Sequence, residues 1–320
     1  MARFPPHFGY GLLCFLLLRS DPYHDALMTL NKPLWTPWSA ADARAWIRLP
    51  TDQDHKYTRG VLGVVTGSRQ YPGAAVLGCA AALATGLGMV RFYPGTAGAG
   101  LATLVLQRCP EVVVVPGQVN AWLLGSGVAP AGGWSLSLWL RHRQMAATRT
   151  QAAATVLDAG ALHLAGTLSG PTLITPHAGE LATLLCARGV PVSHQTIAAD
   201  PHHWAALAQQ TLGVTVLLKG AHSVVAGEGV CIALPPSTPW LSTAGTGDVL
   251  AGMVGALVAS HQAQLSVQPA LLAHLAATAA WLHAQAAQGA SGGAPLTASG
   301  LIAAIPLALR TLLAEDTLHL

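Results

Sequence analysis

Charge is scarce in this chain. Of its 320 residues, 9% are Asp, Glu, Lys or Arg, against a usual ~25%. Its lysines are Lys32, Lys56 and Lys219, and its glutamates are Glu111, Glu180, Glu228 and Glu315. Net charge is +3 and no dense basic cluster occurs, so nucleic acid is not expected as a partner. Cysteine is sparse and odd in number. Cys14, Cys79, Cys109, Cys186 and Cys231 are scattered without a C-x-x-C pair. That excludes a disulfide framework and reads as reduced thiols in a cytoplasmic protein. Apolar residues make up 52%, which excludes a disordered chain. Mean hydropathy is +0.46, yet no run of ~20 bulky apolar residues is present. The long uncharged stretch Gly73–Val90 is rich in Ala and Gly and suits a buried helix, so no membrane association is expected. A Walker loop is absent, and so is a G-x-G-x-x-G fingerprint near the first strand.

The chain is long enough to bury its own core without a metal or disulfide staple. Residues 1–30 differ from the rest. Leu12–Leu18 is an apolar run stopped by Arg19, short for a signal-peptide core and without a clear cleavage site. We expect this segment to be disordered or an extension of the gene model, with translation starting at Met28. Residues 31–320 are expected to form one domain, opening on a lead-in with a short helix at Ala40–Ile47.

From Gly60 onward, strand-like and helix-like segments alternate. Strands are expected at Val61–Thr66, Met89–Tyr93, Glu111–Val115, Ala121–Leu124, Ala154–Leu157, Thr172–Thr175 and Val214–Leu218. Helices are expected at Ala74–Leu87, Val249–Ser260 and Pro269–Ala287, with a loop at Gly289–Ala294. This is the pattern of an α/β fold with a mostly parallel sheet covered on both faces. In such sheets ligands bind beyond the carboxyl ends of the strands. Ser68, the Gly125/Gly127 turn, Asp158, His177, Lys219 and Asp248 all fall at those ends or open a helix. Each alone has an ordinary reading as loop or cap chemistry; their joint placement is what singles them out.

The sharpest segment is Ser242-Thr243-Ala244-Gly245-Thr246-Gly247-Asp248. Its glycines permit close backbone approach, and amides opening the following helix favour an anion such as phosphate. A carboxylate beside a phosphate site is wrong for simple binding. It makes sense as a base taking a proton from an attacking hydroxyl.

Gly-Thr-Gly-Asp opening a helix resembles the anion hole of ribokinase-like kinases. Further segments narrow the likeness: Gly67-Ser68 through Gly73-Ala74-Ala75, Val156-Leu157-Asp158, Thr175-Pro176-His177-Ala178-Gly179-Glu180, and Leu218-Lys219-Gly220. Together, over about residues 50–315, they resemble the ADP-dependent NAD(P)H-hydrate dehydratase family. One departure stands out: Gly125-Ser126-Gly127 replaces the family's usual Gly-Pro-Gly. Both glycines remain, so the change reads as tolerated.

The resemblance implies a ribokinase-like three-layer α/β/α fold and repair of hydrated NADH and NADPH (NADHX and NADPHX). It implies ADP as phosphoryl donor, Mg2+ and a homotetramer. By position, Asp248 would be the catalytic base. Ala74, Ala75, Gly127, His177 and Asp248 would bind the hydrated dinucleotide. Lys219, Gly220, Ala221, His222, Ser223, Gly245, Thr246 and Gly247 would bind the nucleotide. Glu180 would organise the metal indirectly, and Asp158 would support. Many relatives carry a fused epimerase domain. Here only about 50 residues precede the match, so a dehydratase paired with a separate NAD(P)HX epimerase is expected. A ribokinase-like kinase acting on a vitamin-precursor alcohol shares the anion hole, but such kinases usually place Asn where His177 stands. A non-catalytic nucleotide-binding module is the third reading, disfavoured by Asp248, Lys219 and Glu180 together.

Overall fold

Short strands buried on both faces must lie between helix layers. The computed structural model, which describes residues 33–95, 98–130, 136–150 and 153–314, has that arrangement. Its strands are β1 (Trp35–Pro37), β2 (Val61–Val65), β3 (Met89–Phe92), β4 (Ala121–Leu124), β5 (Ala154–Leu157), β6 (Thr172–Ile174), β7 (Thr215–Leu218), β8 (Val224–Gly227) and β9 (Val230–Ala233). They form one sheet in the order β1-β9-β8-β7-β6-β5-β4-β2-β3. From β3 to β7 all neighbours are parallel. The β8–β9 pair adds an antiparallel hairpin, and β1 closes that edge parallel to β9.

The helices are α1 (Ala40–Arg44), α2 (Gly73–Ala84), α3 (Gly98–Arg108), α4 (Leu136–Ala146), α5 (Ala178–Cys186), α6 (His194–Ala199), α7 (Pro201–Leu212), α8 (Thr246–Ser260), α9 (Gln262–Leu265), α10 (Leu271–Ser291) and α11 (Ala298–Ala314). Two apolar cores flank the sheet. One packs α2, α8, α10 and α11 through residues such as Leu62, Leu123, Val254 and Leu275. The other packs α5 and α7 through Leu124, Leu157, Leu181 and Ala205. These are the three layers expected.

Register places the site. Val65 pairs with Leu124, Leu124 with Leu157, and Leu157 with Ile174. The residues that follow, Thr66, Gly125, Asp158 and Thr175, therefore emerge side by side at one edge. A single bridge between His177 and Lys219 continues the row.

Three expectations need correction. Glu111–Val115 is not a strand: Val113 alone bridges to Arg91, at the outer edge beside β3. Pro110 and Pro116 bracket the segment and remove backbone donors, and the Arg91 guanidinium takes the Val115 carbonyl at 2.8 Å. The expected loop at Gly289–Ala294 begins only at Gly292, whose left-handed conformation ends α10. The lead-in helix stops at Arg44, three residues early. The expectations for residues 1–30 and the start at Met28, with Cys14, lie outside the described residues. The other four cysteines are free thiols. Among the described residues no helix is long and apolar enough to cross a membrane.

Candidate active site

Two helices carry the glycine-rich elements, and they touch through small residues. A Cβ at Gly252 of α8 would lie 2.3 Å from the Gly78 carbonyl of α2, so side chains are excluded there. This close packing sets the N-terminus of α8 beside that of α2. Gly245, the residue before α8, has φ +90°, and a Cβ there would lie 2.7 Å from Leu77 Cδ1. Only glycine meets both demands. Thr246 then locks the turn: its hydroxyl donates to the Leu241 and Thr243 carbonyls at 2.8 and 2.9 Å. Beneath it, His283 Nε2 bonds the Thr246 carbonyl at 2.9 Å from α10. Burial pushes the His283 imidazole down to about 4, so it is neutral and donates.

The wall opposite is built from the ends of β2 and β4. Gly127 has φ +65°, and a Cβ there would lie 2.4 Å from the Ala74 Cβ. A Cβ at Gly67 would lie 2.8 Å from that of Ala75. Ala74, Ala75 and Gly127, expected together from the motifs, do meet. Between the two glycines Ser126 is fully buried and its hydroxyl donates to Asp158 Oδ2 at 2.9 Å. The residue that departs from Gly-Pro-Gly thus carries an interaction proline could not make.

Asp158 is the hub of the floor. Thr175 Oγ1 donates to its Oδ1 at 2.8 Å, and Lys219 Nζ stands 3.0 Å from the same oxygen. Its side chain makes no helix-cap bond, so it supports the site rather than capping. Lys219 Nζ also lies 3.9 Å from Glu180 Oε2. Burial pushes the Lys219 ammonium down, but Asp158 and Glu180 outweigh it and hold it above its ordinary value. Lys219 is therefore a fixed cation and no base.

Asp248 opens α8 three residues after Gly245 and feels both Asp158 and Lys219. Burial first, then the Asp158 charge, pushes its carboxyl up to about 6, with Lys219 opposing. That is close to neutral pH and still mostly ionised there, as a general base requires.

His177 and Glu180 form a reciprocal cap on α5. His177 Nδ1 accepts from the Gly179 and Glu180 amides at 3.0 and 3.2 Å, and Glu180 Oε2 accepts from the His177 amide at 2.9 Å. With Nδ1 used as acceptor, the ring proton sits on Nε2, and the imidazole remains exposed. Gly220, Ala221, His222 and Ser223 make the turn from β7 to β8, tied by the Ser223 hydroxyl donating to the Gly220 carbonyl at 3.2 Å. Sequence reasoning did not find Ser126, Thr175 and His283 as supporting residues.

The sequence model of the NAD(P)H-hydrate dehydratase family matches residues 62–306. The chain belongs to this family. Among similar proteins, a "Bifunctional NAD(P)H-hydrate repair enzyme" of Mycobacterium tuberculosis is 40% identical over 70% of this chain and 46% of its own length. The chain thus spans about half the length of the curated bifunctional relatives it matches. An ADP-dependent (S)-NAD(P)H-hydrate dehydratase of Neisseria meningitidis is 31% identical, over 79% of this chain and 84% of that one. Among solved structures, the ADP/ATP-dependent NAD(P)H-hydrate dehydratase of Bacillus subtilis, co-crystallised with ATP and Mg2+, superposes with a TM-score of 0.72. It is 25% identical, and the match covers 88% of this chain and 99% of that one. A ribokinase-like superfamily protein of Enterococcus faecalis, 20% identical, superposes with a TM-score of 0.71 over 88% of this chain and 99% of that one, so the chain shares that fold, as the motifs implied.

Proposed function

We propose that the protein is an ADP-dependent dehydratase that returns NADHX and NADPHX to NADH and NADPH, releasing AMP and phosphate. The observation that carries this reading is Asp248, a raised carboxylate beside an anion-binding helix start, with Lys219 facing the same space. Hydroxide is a poor leaving group, and phosphorylation makes it a good one. Asp248 takes the proton from the ring hydroxyl as that oxygen attacks the terminal phosphorus of ADP. The amides of Gly245, Thr246 and Gly247 hold the transferring phosphoryl group, and Lys219 offsets its charge. The ring nitrogen lone pair then expels phosphate as the C–O bond breaks, and the iminium so formed loses a proton from the adjacent ring carbon to solvent, restoring the ring double bond. Ala74, Ala75, Gly127 and His177 line the ring, and the turn Gly220–Ser223 receives the rest of the nucleotide.

Magnesium fits this reading in a limited way. Such an ion keeps several waters and takes one or two carboxylates beside substrate phosphates. Among the described residues no group of three or more His, Cys, Asp or Glu could hold a metal. Glu180 would hold it indirectly, through water, and the ion would neutralise phosphate charge. Glu180 also orders α5 through the His177 amide, so the two roles share one side chain. The homotetramer implied by the resemblance, and an NAD(P)HX epimerase acting on the same substrates, belong to the same proposal.

The test is to incubate the protein with hydrated NADH and ADP and to follow the absorbance of the reduced ring. Its return, with AMP formed, is the expected result. A stable phosphorylated alcohol formed from a vitamin precursor, with no ring restored, would favour the kinase reading instead.

A further inference from the structure

Gly247 brings its amide to the start of α8 beside Lys219. A Cβ at Gly247 would lie 3.6 Å from Lys219 Nζ, and among the described residues nothing accepts from the Gly247 N–H. That amide belongs to the same peptide unit as the Thr246 carbonyl. In a helix the N–H of each unit points toward the N-terminus and its C=O toward the C-terminus. The N–H therefore faces the phosphate cradle, and the carbonyl faces the layer behind it. There His283 Nε2 donates to the Thr246 carbonyl at 2.9 Å.

The fold does not need that bond. Thr246 lies inside α8, where the helix ladder already supplies its carbonyl with the amide four residues on. The buried face of α10 is mostly Ala and Leu, including Leu275, Ala279, Leu282 and Ala286, and a leucine at position 283 would suit it. An imidazole in that layer bears a desolvation cost that an apolar side chain avoids.

We infer that His283 is a positioning residue that strengthens the Gly247 amide as a donor to the transferring phosphoryl group, which rests on the dehydratase reading. Hydrogen bonds in a chain polarise one another. Donation from His283 draws electron density onto the Thr246 oxygen and leaves the Gly247 N–H more positive. It also fixes the plane of the peptide, so the N–H is aimed before the phosphoryl group moves. A donor aimed at the group in transfer acts on kcat more than on ADP affinity. His283 touches neither substrate; it acts through one peptide unit.

The test compares His283→Leu, which removes the donor, with His283→Gln, which keeps an N–H at about the reach of Nε2. Labelling threonine carbonyls with carbon-13 and glycine amides with nitrogen-15 leaves few signals, because the Thr–Gly pairs are Thr66-Gly67, Thr85-Gly86 and Thr246-Gly247. These signals are read without turnover. In His283→Leu the Gly247 nitrogen should move upfield while those of Gly67 and Gly86 stay. Its kcat should fall about tenfold, short of the ~10²–10³ for a donor that touches the charge itself. KM for ADP should hold within about twofold. His283→Gln should recover most of both effects. His283→Asn, polar but too short to reach the carbonyl, should behave as His283→Leu and serves in its place if that variant does not fold. A Gly247 signal unmoved when the donor is lost would overturn the inference. So would a change in KM with kcat kept, or a glutamine no better than leucine or asparagine. Failure of the wild type to restore hydrated NADH is a separate result: it would remove the dehydratase reading, while the Gly247 signal would still report the polarised peptide.

Discussion

Lys219 Nζ and Asp158 Oδ1 stand 3.0 Å apart, with side chains only 19% and 5% exposed. The pair joins the end of β7 to the end of β5 and points the one lysine of the site at the phosphate cradle. Removing one member of a buried pair leaves the other uncompensated, at a cost of about 3 kcal/mol. Lys219→Met should therefore lower stability by about that amount. Lys219→Met combined with Asp158→Asn should recover most of it, while activity stays lost in both. Denaturant midpoints of the two single variants and the double variant measure this.

Asp248→Asn should cut turnover by roughly 10²–10⁴, the usual reach of a general base, while nucleotide binding holds. The same change should stabilise the fold at neutral pH. The folded carboxyl of Asp248 titrates near 6, above an ordinary Asp at ~3.9. Its ionised form is thus disfavoured by folding, and stability falls as pH rises through that window. The gain from Asn should be on the order of 1–3 kcal/mol above pH 6 and fade toward pH 4. Thermal unfolding across that range reads it.

The rate of the wild-type enzyme should follow the same group. Below about pH 6, kcat/KM should fall close to tenfold per unit as Asp248 takes up its proton. A profile flat from pH 7 to pH 5 would detach Asp248 from the rate-determining proton transfer.

Ser126→Ala should cost about 1.5–3 kcal/mol, the range for a buried bond to a charged acceptor. Its partner Asp158 keeps Thr175 and Lys219, so the loss should appear in stability more than in turnover. Urea unfolding beside steady-state kinetics separates the two.

Gly245→Ala should damage the phosphate cradle directly. The residue sits at φ +90°, and the new methyl would press on Leu77 and Ala298. We expect weaker ADP binding together with a strong fall in turnover, measured by calorimetric titration and by initial rates.

The residues of the candidate site were legible because they sit where strand pattern and glycine turns meet. Gly125, Asp158, His177, Lys219 and the Gly245–Asp248 turn each follow a short apolar run or open a helix, and parallel register then gathers them. What supports them was not legible. His283 is one of fourteen histidines, and its bond to Thr246 spans 37 positions. Thr175 reads as a β-branched strand end; nothing local says that its hydroxyl faces Asp158. Ser126 showed only as a departure between two glycines. In the fold, the β8–β9 hairpin and β1 escaped notice. Their strands have three or four residues, and β1 includes Pro37, which argues against a strand except at an edge. Glu111–Val115 failed in the opposite sense, being β-branched in composition but hemmed in by prolines.

The central claim is that phosphoryl transfer to the ring hydroxyl precedes loss of that oxygen. It is tested most directly by placing heavy oxygen in the hydroxyl of hydrated NADH and incubating with ADP and the protein. The account predicts one AMP and one phosphate per ring restored, with the label in the phosphate. Label released into water, or rings restored without cleavage of ADP, would contradict it.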